Sequence, residues 1–332
     1  MNKLLKNNIT LTAGVLILLM VTATIFSPHF LTLFNLQSVM RDLAFIGMIA
    51  VAQSLLLLIG ELDLSVGKIA TLSGVLSGLL MSVLKCNPFL AFLIGLLAGT
   101  ILGIMNGLLV AKLRLNSMVA TIGMQSLYGG ITLVLTKGKA ITDISPSVSF
   151  LGKGNIAGIP MPFLFMLVIL AVILFLVKKT KTGRYIYAIG NSREASRIMG
   201  IRVEFIRIML FAIVGFISAL AGILYVARLG SAQASIGNNW PINSIAACVI
   251  GGILLTGGVG SPLGALLGAA IISVISNVIV LFGVNVYWQE AVNGIVIVAA
   301  IALPSLVTII RGRKKIRKGN PERLQQAGKG ES

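Results

Sequence analysis

Apolar residues run along the chain in stretches of about 18 to 22, each long enough for a ~30 Å hydrocarbon core, with short polar segments between them. A window of about 19 residues predicts membrane segments near 9–27, 43–59, 66–84, 88–110, 117–136, 162–177, 208–227, 244–256, 260–282 and 291–310. The expected fold class is all-α, a polytopic membrane helix bundle of about ten transmembrane segments with short or broken helices near 60–67 and 244–260. The eighth segment is too short and glycine-rich to span comfortably. It reads as a half-helix or re-entrant piece, which lipid tolerates only where protein or a water-filled cavity covers the backbone. The first segment follows Lys3 and Lys6, as a signal peptide would, but it is long and no A-x-A site follows it, so a retained helix is expected. Residues 1–310 form one membrane domain, including a loop at 178–207, and 311–332 form a basic tail.

Composition agrees with this pattern. Hydrophobic residues make up 57% of the 332 and charged ones only 11%, against roughly 25% charged in soluble domains. Lys and Arg number 27 against 9 Asp and Glu, a formal net charge of +18. Such a balance often marks nucleic-acid binding, yet here the charges sort by side of the membrane. With the N-terminus inside and ten spans, twenty basic residues fall on the inner side and six on the outer, and Lys68 sits in a short break. Basic loops stay cytoplasmic, so both termini are placed in the cytoplasm of a bacterial plasma (inner) membrane and no nucleic-acid partner is expected; membrane lipid is. Cys86 and Cys248 show no CxxC spacing and His29 stands alone, so no disulfide framework or metal site is expected. Without a nucleophile–base pair or metal cluster the chain does not read as an enzyme.

Glycines at 95, 99, 103 and 107 repeat every fourth residue, a stripe that lets a neighbouring backbone approach closely. Gly260, Gly264 and Gly268 repeat the pattern, and Gly74 with Gly78 does so in miniature. Polar groups near the spans are few, and at membrane depth they are costly and usually face a cavity or partner. The densest run is Gly60-Glu61-Leu62-Asp63-Leu64-Ser65-Val66-Gly67-Lys68. Asp63, helped by Ser65, either N-caps the following helix or joins Glu61 in a gate or polar lining. Asn106, Gln125, Asn238, Asn239, Asn243, Gln289 and Glu290 are further candidates for the lining or for interhelical hydrogen bonds. The glycine-rich run 251–261 lacks the Lys-Ser/Thr pair of a phosphate-binding loop. It reads as a tight turn, and no cofactor is expected on this chain.

The loop 178–207 holds a short stretch of helical character from Asn191 to Met199, with a cap at Asn191 or Ser192 and Gly200 closing it. Glu194-Ala195-Ser196 followed by Gly200 resembles the EAA-x-x-x-G loop of ABC-importer permeases, with Ser196 for the second alanine. Three ordered stretches, GELDLSVG, TGRYIYAIGNSREASRIMGI and IAACVIGGILLTGGVGSPLGALLGA, resemble permeases of the ribose, xylose and autoinducer-2 (simple sugar) type over residues 35–303. Glu61 departs from that pattern, where Gly or an apolar residue more often precedes Asp-Leu-Ser. No I-x-L-P follows Gly200, which sets the chain apart from the maltose type.

The resemblance implies a permease subunit paired with a second copy or paralogue, driven by ABC ATPase subunits that use ATP, and fed by an extracytoplasmic solute-binding protein. Asn191, Glu194, Ala195, Ser196 and Gly200 would form the coupling helix seated in an ATPase groove. The expected cargo is a monosaccharide or similar small neutral solute, since a lining with few charges suits hydroxyls better than ions. The alternative is a proton-coupled secondary transporter using Glu61, Asp63 and Glu290.

Overall fold

The chain lays down apolar helices whose ends are set by capping residues and turns. Its computed structural model describes residues 2–283 together with Trp288, Ala291, Gly294, Ile295 and Val298. The helices are α1 (Asn2–Phe26), α2 (Leu33–Leu58), α3 (Val66–Ser82), α4 (Pro88–Ala111), α5 (Ser117–Thr136), α6 (Ser149–Lys153), α7 (Met161–Lys179), α8 (Lys181–Asn191), α9 (Arg193–Ile198), α10 (Val203–Leu229), α11 (Trp240–Ile250) and α12 (Pro262–Leu281). A two-stranded hairpin, β1 (Asn155–Ile156) and β2 (Ile159–Pro160), is the one sheet among the described residues. Seven of these helices, α1, α2, α4, α5, α7, α10 and α12, are long and apolar enough to cross a membrane, while α3 and α11 are shorter.

Caps explain several boundaries. Asn87 accepts from Phe89 N ahead of Pro88, Asn116 accepts from Met118 N and Val119 N, and Ser261 accepts from Leu263 N ahead of Pro262. Each satisfies amides that the first helical turn leaves without partners. The first nine expected segments all appear as helices, with shifted ends. The second begins at Leu33 rather than 43, because Thr32 caps it and Arg41 and Asp42 are accommodated within the helix. Asp42 accepts from Arg228 at 2.8 Å and Arg41 donates to Asn155 at 3.1 Å, so two charges that look like a loop from sequence sit on a helical surface. The tenth segment, 291–310, the tail 311–332, Gln289 and Glu290 lie outside the described residues apart from the isolated positions named above.

Helix α10 is the spine, packed against α4, α3 and α2, while α12 packs against α2, α11 and α1. The glycine stripe of α4 is the contact surface. A methyl group on Gly99 would strike Ala219, one on Gly103 would strike the Phe211 carbonyl, and one on Gly107 would lie 2.9 Å from Ile208 Cα. The second stripe is shorter than the sequence suggests. Gly264 and Gly268 pack on the Gly251 and Ala247 carbonyls, but Gly260 precedes the helix and has φ +138°, a turn conformation open only to glycine.

The short eighth segment is a half-helix preceded by irregular backbone. Ala232 bridges to Ile141 near Gly78, at the end of the bundle that carries the hairpin. The chain from Ser231 then runs along α3 until the Ile236 carbonyl meets Thr71 and Gly237 lies against Gly67. From there α11 completes the crossing over only eleven residues, with Cys248 donating to the Ala50 carbonyl at 3.3 Å. Side chains of α3 thus take carbonyls of the turns before α11 that lipid could not satisfy. The glycine turn that follows docks at the opposite end, where Gly258 N donates to the Leu58 carbonyl at 2.9 Å and Tyr187 Oη donates to the Gly260 carbonyl at 2.9 Å.

The stripe predicts a contrast between helix glycines. Gly103→Leu, forced between α4 and α10, is expected to destabilise the protein by about 3 kcal/mol. Gly123→Ala, with open space around it, is expected to cost nothing and to gain up to about 1 kcal/mol in helix propensity. Thermal unfolding of the two variants in detergent micelles checks the difference.

Candidate functional site

The break between α2 and α3 is where the polar residues gather. Its amides are satisfied by α5: Leu62 N donates to Ser117 Oγ at 3.2 Å and Leu64 N to Thr121 Oγ1 at 3.0 Å. Asp63 is fully buried, and its Oδ1 accepts from Ser65 N at 2.8 Å and Ser65 Oγ at 2.7 Å. Ser65, not Asp63, occupies the N-cap position of α3, and its own side chain makes no capping bond. Asp63 holds the turn before it. Asn106 of α4 donates to Asp63 Oδ2 at 3.1 Å and to Ser65 Oγ at 2.7 Å, and accepts from Tyr128 Oη of α5 at 3.0 Å. Asp63, Ser65 and Asn106, expected as gate or lining residues, therefore meet in one buried network that joins three helices.

Glu61 faces the other way, toward the loop between α7 and α10. Its Oε1 lies 2.6 Å from Arg207 Nη2 and 2.7 Å from Arg193 Nη2, and the glutamate is 3% exposed. Arg193 also donates to the Ile59 and Gly60 carbonyls, at 3.2 Å each. The carbonyls left open at the end of α2 are thus closed by a side chain from the first residue of α9 (a charge-assisted bond). A cavity of about 500 Å³ borders this junction, lined by Gly60, Glu61, Arg114, Asn116, Ser117, Arg193, Glu194, Arg197 and Arg207 among others.

The loop itself holds two helices rather than one. Asn191 is the last residue of α8, and its side chain donates back to the Tyr187 carbonyl at 2.8 Å. Ser192 caps α9 by accepting from Ala195 N at 3.2 Å. Ser196 is buried and donates to the Ser192 carbonyl at 2.8 Å. Arg197 pairs with Glu204 at 2.6 Å, tying α9 to the start of α10. Gly200, at φ +79°, turns the chain as a C-terminal glycine does. Asn191, Glu194, Ala195 and Gly200 are exposed. So are two residues that the motif does not single out: Ile198 is 88% exposed and Met199 79%. The signal for them was present in the sequence as an apolar pair just before the glycine of a polar loop.

A second polar place lies along α3. Lys68 Nζ donates to Asn238 Oδ1 at 2.7 Å and to the Ala234 carbonyl at 3.2 Å. With Gln125, Ser126, Gly129, Gly130, Leu133 and Ala234 it lines a cavity of about 410 Å³. Asn239, the next candidate, stands exposed at the start of α11. Gln125 is thus brought to the irregular stretch before α11, while Lys68 is the member that sequence reasoning left in a break.

A helical membrane bundle with a half-helix preceded by irregular backbone, and an exposed, capped helix in its long polar loop, is the architecture of a transporter's membrane subunit. The family described as the permease component of branched-chain amino acid transport systems matches residues 35–301. The chain belongs to this family, and is a multi-pass inner-membrane protein. It is 36% identical to the ribose import permease protein RbsC of Haemophilus influenzae over 86% of this chain and 90% of that one. The ribose import permease protein RbsC of Bacillus subtilis is 38% identical, over 87% and 90%. The autoinducer 2 import system permease protein LsrC of Escherichia coli is 33% identical, over 91% and 88%.

The two ion pairs of Glu61 differ in burial, and so should their contributions. Glu61→Ala strands the Arg207 guanidinium, whose side chain is 7% exposed, and is expected to cost about 3–5 kcal/mol. Arg193→Ala removes a cation that is 39% exposed together with its bonds to the Ile59 and Gly60 carbonyls, and is expected to cost less, about 1–2 kcal/mol. Chemical unfolding of both variants in micelles measures the ordering, and equal costs would contradict it.

Proposed function

We propose that this chain, a permease subunit of an ABC importer, forms the translocation pathway for a monosaccharide or a similar small neutral solute, with alternating access driven by separate ATPase subunits. Its relatives import ribose and autoinducer 2 by their names. The cavity between α3 and α5 supports a hydroxyl-rich cargo: a lysine, a glutamine and a serine line it, and no carboxylate does. A free amino acid would find no counter-charge there for its ammonium group, although the family description mentions branched-chain amino acids. Lys68, Gln125, Asn238 and Asn239 are the pathway residues in this reading.

The observation that carries the coupling assignment is α9 itself. A capped helical turn that presents Ile198 and Met199 to solvent, while Arg193 and Arg197 tie it to the bundle, is built to transmit a push from a partner that covers its tip. Asn191, Glu194, Ala195, Ser196 and Gly200 belong to the coupling element in this reading. Closure of the ATPase pair would move α9, and through Arg193 and Glu61 the ends of α2 and α10, as a rigid-body shift. The remaining expectations join the proposal: about ten spans, one membrane domain to residue 310 followed by a basic tail, both termini in the cytoplasm, a second permease copy or paralogue, and a solute-binding protein outside. No cofactor is assigned to the chain, and ATP is used by the partner.

Proton coupling through Glu61, Asp63 and Glu290 finds no favouring observation. Glu61 is held by two guanidinium groups, both oxygens of Asp63 are engaged, and Glu290 lies outside the described residues.

Met199→Asp or Glu194→Lys, both on the exposed face of the loop, are expected to lower co-purification of the cognate ATPase by about tenfold or more, the effect of losing a central interface contact. The thermal stability of the permease should be unchanged. Full retention of the ATPase by both variants would remove the coupling assignment, and uptake by the chain alone under a proton gradient would restore the rival mechanism.

A further inference from the structure

The 500 Å³ cavity beside α9 carries more positive charge than its neighbours use. Four guanidinium groups, those of Arg114, Arg193, Arg197 and Arg207, line it against the carboxylates of Glu61 and Glu194. Counting Glu204 against Arg197 still leaves the excess positive. Two of the four have donor capacity that the described residues do not use. Arg207 is 5% exposed, and its Nε is buried without a hydrogen-bond partner although its Nη2 reaches Glu61. Arg207 also lines the cavity, so its guanidinium has donor capacity left for an anion there. Arg114 sits in the short turn between α4 and α5 at φ +57° and takes part in none of the ion pairs of the described residues. Arg193 engages only one of its three nitrogens with Glu61 and the α2 carbonyls, so it too has donors to spare.

We infer that this cavity is a binding site for a phosphate group, supplied either by a soluble phosphate ester or inorganic phosphate, or by an anionic lipid headgroup. Forked guanidinium groups recognise tetrahedral phosphate oxygens by paired N–H bonds. A phosphomonoester carries about −1.5 to −2 charge near neutral pH, which suits an excess of one or two cations. The volume falls within the range of small-ligand sites, roughly 300–1,000 Å³, so the phosphate has room for an organic stem. Arg193 and Arg197 belong to α9, whereas Arg114 and Arg207 belong to the bundle. An occupied site therefore cross-links the two and restrains α9. That this would regulate transport rests on α9 being the coupling helix; the binding itself does not.

The test uses the full chain in phosphatidylcholine nanodiscs, titrated with sodium phosphate against sodium chloride at equal ionic strength, with melting temperature and amide hydrogen exchange across residues 193–199 as readouts. Saturable stabilisation and slowed exchange on adding phosphate are expected. Arg114→Asn, chosen because asparagine tolerates the left-handed backbone of that position, should raise the apparent dissociation constant about tenfold or more, with Arg114→Lys in between. If free phosphate is inert but nanodiscs carrying a minority of phosphatidylglycerol reproduce the stabilisation, with the same sensitivity to Arg114→Asn, the headgroup is the source. The site is overturned if neither source acts, if Arg114→Asn binds as well as the parent while melting normally without ligand, or if only an added ATPase subunit protects residues 193–199. The coupling assignment could still hold after any of these outcomes, because it is judged by ATPase co-purification.

Discussion

Lipid offers no hydrogen bonds, so every place where this chain leaves regular helix must be answered by its own side chains. Two such places organise the molecule. Between α2 and α3, Arg193 closes the carbonyls of Ile59 and Gly60, and Ser117 and Thr121 take the amides of Leu62 and Leu64. Along α3, Thr71 and Lys68 take the carbonyls of Ile236 and Ala234. The partners for the first break come from α5, whose hydroxyls accept, and from α9, whose arginine donates, and those for the second are donors on α3 itself. The positions of α5, α9 and the segment leading into α11 therefore follow from the need to satisfy backbone outside regular helix.

Glu61 gains its meaning from that constraint. A carboxylate beside the end of α2 draws in Arg193 from the loop and Arg207 from α10, so the loop helix, the break and the spine of the bundle share one charged junction. Its buried pair depends on both partners being present. In the proposed coupling, this junction is what would connect a helix that touches none of the cavity between α3 and α5 to that cavity, through α2 and α3.

The close approach of α4 to α10 is the other requirement. Gly99, Gly103 and Gly107 bring backbones together where apolar attraction between helices is weak, since lipid tails are as apolar as leucine. The same economy places Gly67 against Gly237 and Gly74 against the Gly222 carbonyl. Gly95 and Gly99 likewise set α4 close against Ser77 and Ser73 of α3, so Asn106 of α4 reaches Asp63 and Tyr128 of α5 completes the network.

Much of this was legible in the sequence because it depends on local composition. Apolar run length marked α1–α5, α7, α10, α11 and α12, glycine spacing marked the packing face of α4, and the shortness of segment 244–256 signalled a piece that could not span alone. The loop motif marked α9 and the glycine that ends it. What sequence alone could not decide was which polar residues meet. Glu61 and Asp63 are two residues apart and looked like one feature, yet successive side chains at a break point in different directions, and one joins arginines from 132 and 146 positions away in number while the other joins Asn106. Arg41 and Asp42 looked like loop residues until the tertiary structure supplied Asn155 and Arg228 as partners. Helix formation is a property of neighbouring residues. The pairing of buried charges is a property of segments that only packing brings together, and there the tertiary structure had the decision.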